Sequence, residues 1–157
     1  MLIDGLQFAR SASEMAGEIE GAKLVRLAGM QCSTPGIRFR VCGGMNERGK
    51  PELSIFLSGQ LQLTCQRCLR PLPQALELES RLELSASLEE IEAADDDIDR
   101  VLATRAMDVA ALVEDEVLLA LPMIPRHEHC EAAPEIEAAQ ARKQSPFDAL
   151  AALKRRR

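Results

Sequence analysis

Between Glu52 and Cys65 the chain reads ELSIFLSGQLQLTC, with Leu53, Ile55, Leu57, Leu61 and Leu63 sharing one parity. Side chains alternate across a strand, so this period of two puts all five apolar groups on one face; on a helix they would scatter around the cylinder. The flanking segments repeat the pattern. In IRFRVCG, Ile37, Phe39 and Val41 alternate with Arg38, Arg40 and Cys42, and in LPQALELESRLELSAS, Leu76, Leu78, Leu82 and Leu84 alternate with charges. The linking stretches GMNERGKP and CQRC are short, so the strands follow one another as an antiparallel β-meander or partly closed barrel with one wet face. Gly59 keeps the parity but has no side chain, which marks a bulge or a close approach.

The clearest helix is DVAALVEDEVLLAL, residues 108–121, with Asp108 as N-cap and Pro122 as the stop. Val109, Leu112, Val113, Val117, Ala120 and Leu121 share one face at helical spacing. Together with the strands this gives an α+β fold in which the sheet packs on one main helix. Glu116 lies inside the apolar stripe. A buried carboxylate there needs a partner, and Arg38 or Arg40 from the sheet is the natural candidate for a structural ion pair. Elsewhere the expectations are a short helix over 11–20 (Ser11 or Ser13 as cap, with Met15, Ala16 and Ile19 in phase), an extended segment over 22–28, and a solvated acidic connector over 88–101.

A chain of 157 residues supports one hydrophobic core, expected to occupy residues 1–130. Charge divides the remainder. Residues 83–141 carry three Lys/Arg against 16 Asp/Glu, whereas 142–157 carry six against one. Residues 131–144 read as a flexible linker. SPFDALAALKRRR, residues 145–157, reads as a short amphipathic helix with a basic end, in which Phe147 and Leu150 mark the apolar side. An acidic body of this kind excludes a broad phosphate-binding surface. Contact with nucleic-acid phosphates or a partner is expected instead at Lys154, Arg155, Arg156 and Arg157. With no Trp or Tyr and aromatics at 3%, a base-stacking platform is disfavoured. No stretch approaches the ~20 apolar residues of a membrane span, and the N-terminus lacks the basic-then-apolar order of a secretory signal. A cytoplasmic chain is expected, with its cysteines kept as thiols or metal ligands.

Cys65 and Cys68 form a CxxC at the turn between the second and third strands, which aims two sulfurs at one point. A second group of donors, His127, His129 and Cys130, follows the helix in PRHEHC. Cys65, Cys68, Cys130 and one histidine would complete a closed structural zinc site stapling hairpin to helix end. His127 is preferred, with His129 as alternate, because adjacent residues such as His129 and Cys130 rarely ligate one ion. Buried structural thiols and redox chemistry remain open. The redox reading suffers because a reactive CxxC belongs at a helix N-terminus, and here prolines and a strand pattern follow. Cys32 and Cys42 are assigned to packing. No phosphate-binding glycine loop, GxGxxG, GxSxG or HExxH is present, and no small-molecule substrate is suggested.

The succession CQRCLRPL, LVEDEVLLALPMIPRHEHC and SPFDALAALKRRR resembles the YceD family of bacteria, in the same order from Leu53 to the C-terminus. The resemblance implies a cytoplasmic, non-catalytic ribosome-biogenesis factor promoting synthesis, processing or stability of 23S rRNA. It would act on that rRNA, its precursors, or a ribosomal or processing protein. It places the family's CxxC on Cys65 and Cys68, its later cysteine on Cys130, and its acidic-helix motif on Glu114 to Pro122. Two other readings stand beside it. One is a zinc-dependent or redox enzyme acting on ribosome precursors, with Glu114 or Glu116 as its carboxylate. The other is an acidic adaptor for a ribosomal protein or RNase.

Overall fold

The computed structural model describes residues 1–94 and 98–130. Its elements run β1 (Leu2–Ile3), α1 (Gly5–Arg10), β2 (Glu14–Glu20), a 3-10 turn (Gly21–Lys23), α2 (Val25–Gly29), β3 (Gly36–Met45), β4 (Pro51–Thr64), β5 (Pro71–Ser85), α3 (Leu88–Glu92), β6 (Arg100–Leu102), β7 (Met107–Asp108) and α4 (Val109–Ala120). Strands β3 to β5 form the antiparallel meander expected, β2 extends it by pairing with β3, and β6 adds to β5 in parallel. The resulting five-stranded sheet is open, so the barrel alternative is discarded for the described residues. A separate two-stranded ribbon pairs β1 with β7.

Alternation dictates the buried face. Ile37, Val41, Leu53 and Ile55 have no exposed surface, while Arg38 and Arg40 point to the opposite, open side. Each fully buried Leu or Ile of this kind contributes about 1.5–3 kcal/mol. Gly59 pairs with both Ile37 and Leu76 in unbroken register, so it marks a close approach rather than a bulge. A Cβ there would come within 2.8 Å of the Ile37 side chain. The turn between β3 and β4 is held by Asn46, whose side-chain oxygen accepts from the amides of Arg48 and Lys50 at 3.0 and 2.9 Å.

Helix α4 runs as expected, with the Asp108 carboxylate accepting from the Ala110 amide at 3.0 Å. Val109, Val113 and Val117 are fully buried. The main backbone contacts of α4 are with α2 and β7, and its buried valines share one core cluster with the inner face of the sheet. The core it joins also takes Ala9 of α1, Leu24 and Leu27.

Three further expectations fail. Residues 11–20 do not form a helix. Ser11 closes α1 through its hydroxyl, which donates to the Gln7 carbonyl at 2.7 Å, and Glu14–Glu20 pairs along β3. The 22–28 segment is not extended but turns through Gly21–Lys23 into α2. The acidic stretch is more than a connector, since Ser87 caps α3 and Arg100–Leu102 forms β6.

Candidate metal centre

Strands β4 and β5 pair from Glu52↔Glu83 to Thr64↔Pro71, and the chain between them turns through Cys65 to Arg70. The turn closes with the Leu69 amide donating to the Cys65 carbonyl at 2.9 Å and the Cys65 amide donating to the Arg70 carbonyl at 3.0 Å. Leu69 takes a left-handed backbone, φ 59°, directly after the two buried cysteines. Beyond α4, Pro122 ends the helix and the chain doubles back beneath the turn, where the Gln66 amide donates to the Pro125 carbonyl at 2.8 Å.

This return brings four donors together. Sγ of Cys65, Cys68 and Cys130 and a ring nitrogen of His127 all lie within 4.8 Å of one another. Cys65 Sγ is 3.8 Å from Cys130 Sγ, and Cys68 Sγ is 3.4 Å from His127 Nδ1. The other imidazole nitrogen, Nε2, lies 3.1 Å from the Pro71 carbonyl. A carbonyl can only accept, so Nε2 carries a proton, which in the neutral ring leaves the Nδ1 lone pair on the sulfur side. His129 is exposed and stands outside the group. The four residues could therefore hold a metal ion.

The sulfurs are electrostatically unequal. Burial would raise the Cys65 thiol, but the backbone amides of Cys68, His127 and Arg67, with the Cys68 thiol, hold it down to about 5. Cys65 is thus a thiolate at neutral pH, the form in which a cysteine ligates metal. Burial and its sulfur neighbours push Cys130 up. Cys32 is buried in the core and Cys42 half-buried in β3.

The family model described as "Large ribosomal RNA subunit accumulation protein YceD" matches residues 53–154. The chain belongs to the YceD family. A protein of that name from Haemophilus influenzae is 32% identical over 124 residues, covering 68% of this chain and 69% of the relative. No solved structure matches. All four donors of the cluster fall within the YceD-matched stretch, as does the acidic motif of α4.

That motif includes a site the sequence analysis assigned only as a possible catalytic carboxylate. Glu114 is 5% exposed, and its carboxylate accepts from the amides of Arg26 and Leu27 at 2.7 and 3.2 Å and from Arg26 Nε at 2.8 Å. It caps α2 from across the fold, while Asp115 takes the other side of the same guanidinium. Burial would raise the Glu114 carboxyl, yet the Arg26 contacts and the Leu27 amide hold it below the usual range. Glu83 plays a similar part in β5. It accepts from Asn46 and Arg100 at 2.8 and 3.0 Å and pairs with Arg48, which ties the β3–β4 turn to β6.

Glu116 is buried as expected, at 8% exposure. Neither Arg38 nor Arg40 reaches it, because strand alternation turns both to the open face, where Arg40 lies 4.6 Å over the Phe56 ring. Among the described residues the Glu116 carboxylate has no hydrogen bond or ion pair. The linker 131–144 and the peptide 145–157, with Phe147, Leu150, Lys154, Arg155, Arg156 and Arg157, lie outside the described residues.

Proposed function

We propose that the protein is a non-catalytic factor of large-subunit biogenesis that promotes 23S rRNA synthesis, processing or stability in the cytoplasm. Its β4–β5 hairpin would be stapled to the end of α4 by one zinc ion. The YceD match carries the biological part, and the four converging donors support the staple.

Zinc–sulfur bonds of about 2.3 Å and zinc–nitrogen bonds of about 2.05 Å imply tetrahedral edges of about 3.8 Å and 3.6 Å. Two of the six donor separations, 3.8 Å and 3.4 Å, match these edges, and all six lie within 4.8 Å. Cys65, Cys68, His127 Nδ1 and Cys130 would fill all four positions, and the ion would supply cross-linking rather than Lewis acidity. A complete protein shell offers no place for a substrate or an activated water. Glu114, capping α2, is committed to structure. The zinc-enzyme reading has no comparable support.

Lys154, Arg155, Arg156 and Arg157 are proposed to meet rRNA phosphates or an acidic partner, with Phe147 and Leu150 beside them. Quantifying 23S rRNA and large-subunit precursors in cells making Cys130→Ser or the Lys154-to-Arg157 serine variant tests the reading. Reduced 23S rRNA is expected for both. Normal levels with either protein at wild-type abundance would contradict the part assigned to it.

A further inference from the structure

A groove beside the C-terminal half of α4 combines exposed apolar and acidic groups. Met45, Ile98 and Leu119, which are 53%, 37% and 81% exposed, are among its lining side chains. Glu47, Glu52, Asp99 and Glu116 set its sign, because Arg81 is paired with Glu79 and Arg48 with Glu83. Glu116 is the decisive group. It is more than nine-tenths buried, lines the groove, and has no partner among the described residues. Its carboxylate reaches the groove wall with no cation beside it among those residues, so it offers an unneutralised negative charge to an incoming cation.

We infer that this groove is the docking site of the chain's own residues 145–157, with Glu116 receiving a cationic side chain from Lys154 to Arg157. The segment SPFDALAALKRRR offers Phe147, Leu150 and Leu153 to the exposed apolar groups and a run of four cations to the carboxylates. Reach is ample. The 16 residues from 131 to 146 span up to about 55 Å when extended, whereas a unit of this size has a radius of gyration of about 14 Å. Tethering also presents the segment at an effective concentration on the order of millimolar, so a weak contact suffices. A docked tail is withheld from phosphates. That consequence rests on the rRNA reading above, whereas the docking does not.

The test uses the full chain and a labelled synthetic peptide of residues 145–157, followed by fluorescence anisotropy without RNA. A Phe147→Ser, Leu150→Ser double variant disables the resident tail. It should bind the peptide at least about tenfold more tightly than wild type, whose groove is occupied. Adding Glu116→Gln or Leu119→Ser should weaken that binding by about tenfold, 1.4 kcal/mol. Leu119 is exposed, so its variant keeps the test intact if the Glu116 variant fails to fold. Three outcomes would each overturn the docking: no saturable binding to the double variant, equal binding to wild type and double variant, or binding indifferent to Leu119→Ser.

Discussion

The sulfurs of Cys65 and Cys130 lie 3.8 Å apart although 65 residues separate them in the chain. A disulfide requires about 2.05 Å, so the two sulfurs are not bonded, and their spacing suits two ligands of one ion. Between the two cysteines runs the whole of β5, α3, β6, β7 and α4, and a metal at this point would close that loop at both ends.

The two histidines are expected to separate cleanly. His127→Ala removes the nitrogen beside Cys68 and should abolish stoichiometric zinc, whereas His129→Ala should retain one ion per chain. Mass spectrometry under native conditions reads both. Zinc kept by the first variant and lost by the second would reverse the ligand assignment.

Glu114→Ala should cost about 2–3 kcal/mol in urea unfolding, because it leaves the Arg26 and Leu27 amides and a guanidinium without their common acceptor. The exposed neighbour Asp115→Ala should cost about 0.5 kcal/mol or less. Equal losses would show that the cap on α2 is not what holds that helix.

Acid should destabilise the fold through Glu83 and Glu114. Burial opposes their ionisation, but the side chains of Asn46, Arg100 and Arg48 around Glu83, and of Arg26 around Glu114, hold both below the usual carboxylate range. The unfolded chain therefore binds more protons than the folded one below pH ~4.5. Their contribution is complete above that pH and is lost as pH falls through the depressed folded values. Melting temperature should drop steeply on acidification below pH ~4.5, and the slope should be shallower in Glu83→Gln. A melting temperature that rose towards acid would contradict this.

Leu69 is 68% exposed yet sits in a left-handed conformation, φ 59°. Leu69→Gly should stabilise the metal-loaded protein by up to about 1 kcal/mol, since glycine adopts that conformation without steric cost. Calorimetry on zinc-saturated protein checks it, and a destabilisation would mean that Leu69 makes an apolar contact worth more than the strain.

The extent to which these features were legible follows from how local their causes are. The alternation around Leu57 specifies a buried strand without help from any distant residue, and Asp108 with Pro122 brackets α4 in the same way. CQRC and HEHC were legible as donor groups because Cys and His are scarce and tightly spaced there. Helix α2 was not, because the carboxylate that caps it lies 88 residues away on α4. Strand β2 was misread because Met15, Ala16 and Ile19 fit a helical face, although only Ile19 becomes buried, in pairing with Ile37. Glu83 looked like an ordinary solvent-facing charge of an alternating strand. Its burial depends on Asn46 and Arg100, which strand pairing brings to it. Glu116 was placed correctly in the interior but given arginines that the pleat directs to the other side of the sheet.

The most direct measurement is the metal content of the full-length protein, purified under reducing conditions and analysed by inductively coupled plasma mass spectrometry beside Cys65→Ser and Cys130→Ser. One zinc per wild-type chain, lost in both variants together with a large fall in melting temperature, is the expected result. A metal-free wild type that melts cooperatively, and whose stability does not change when zinc is added, would contradict the staple.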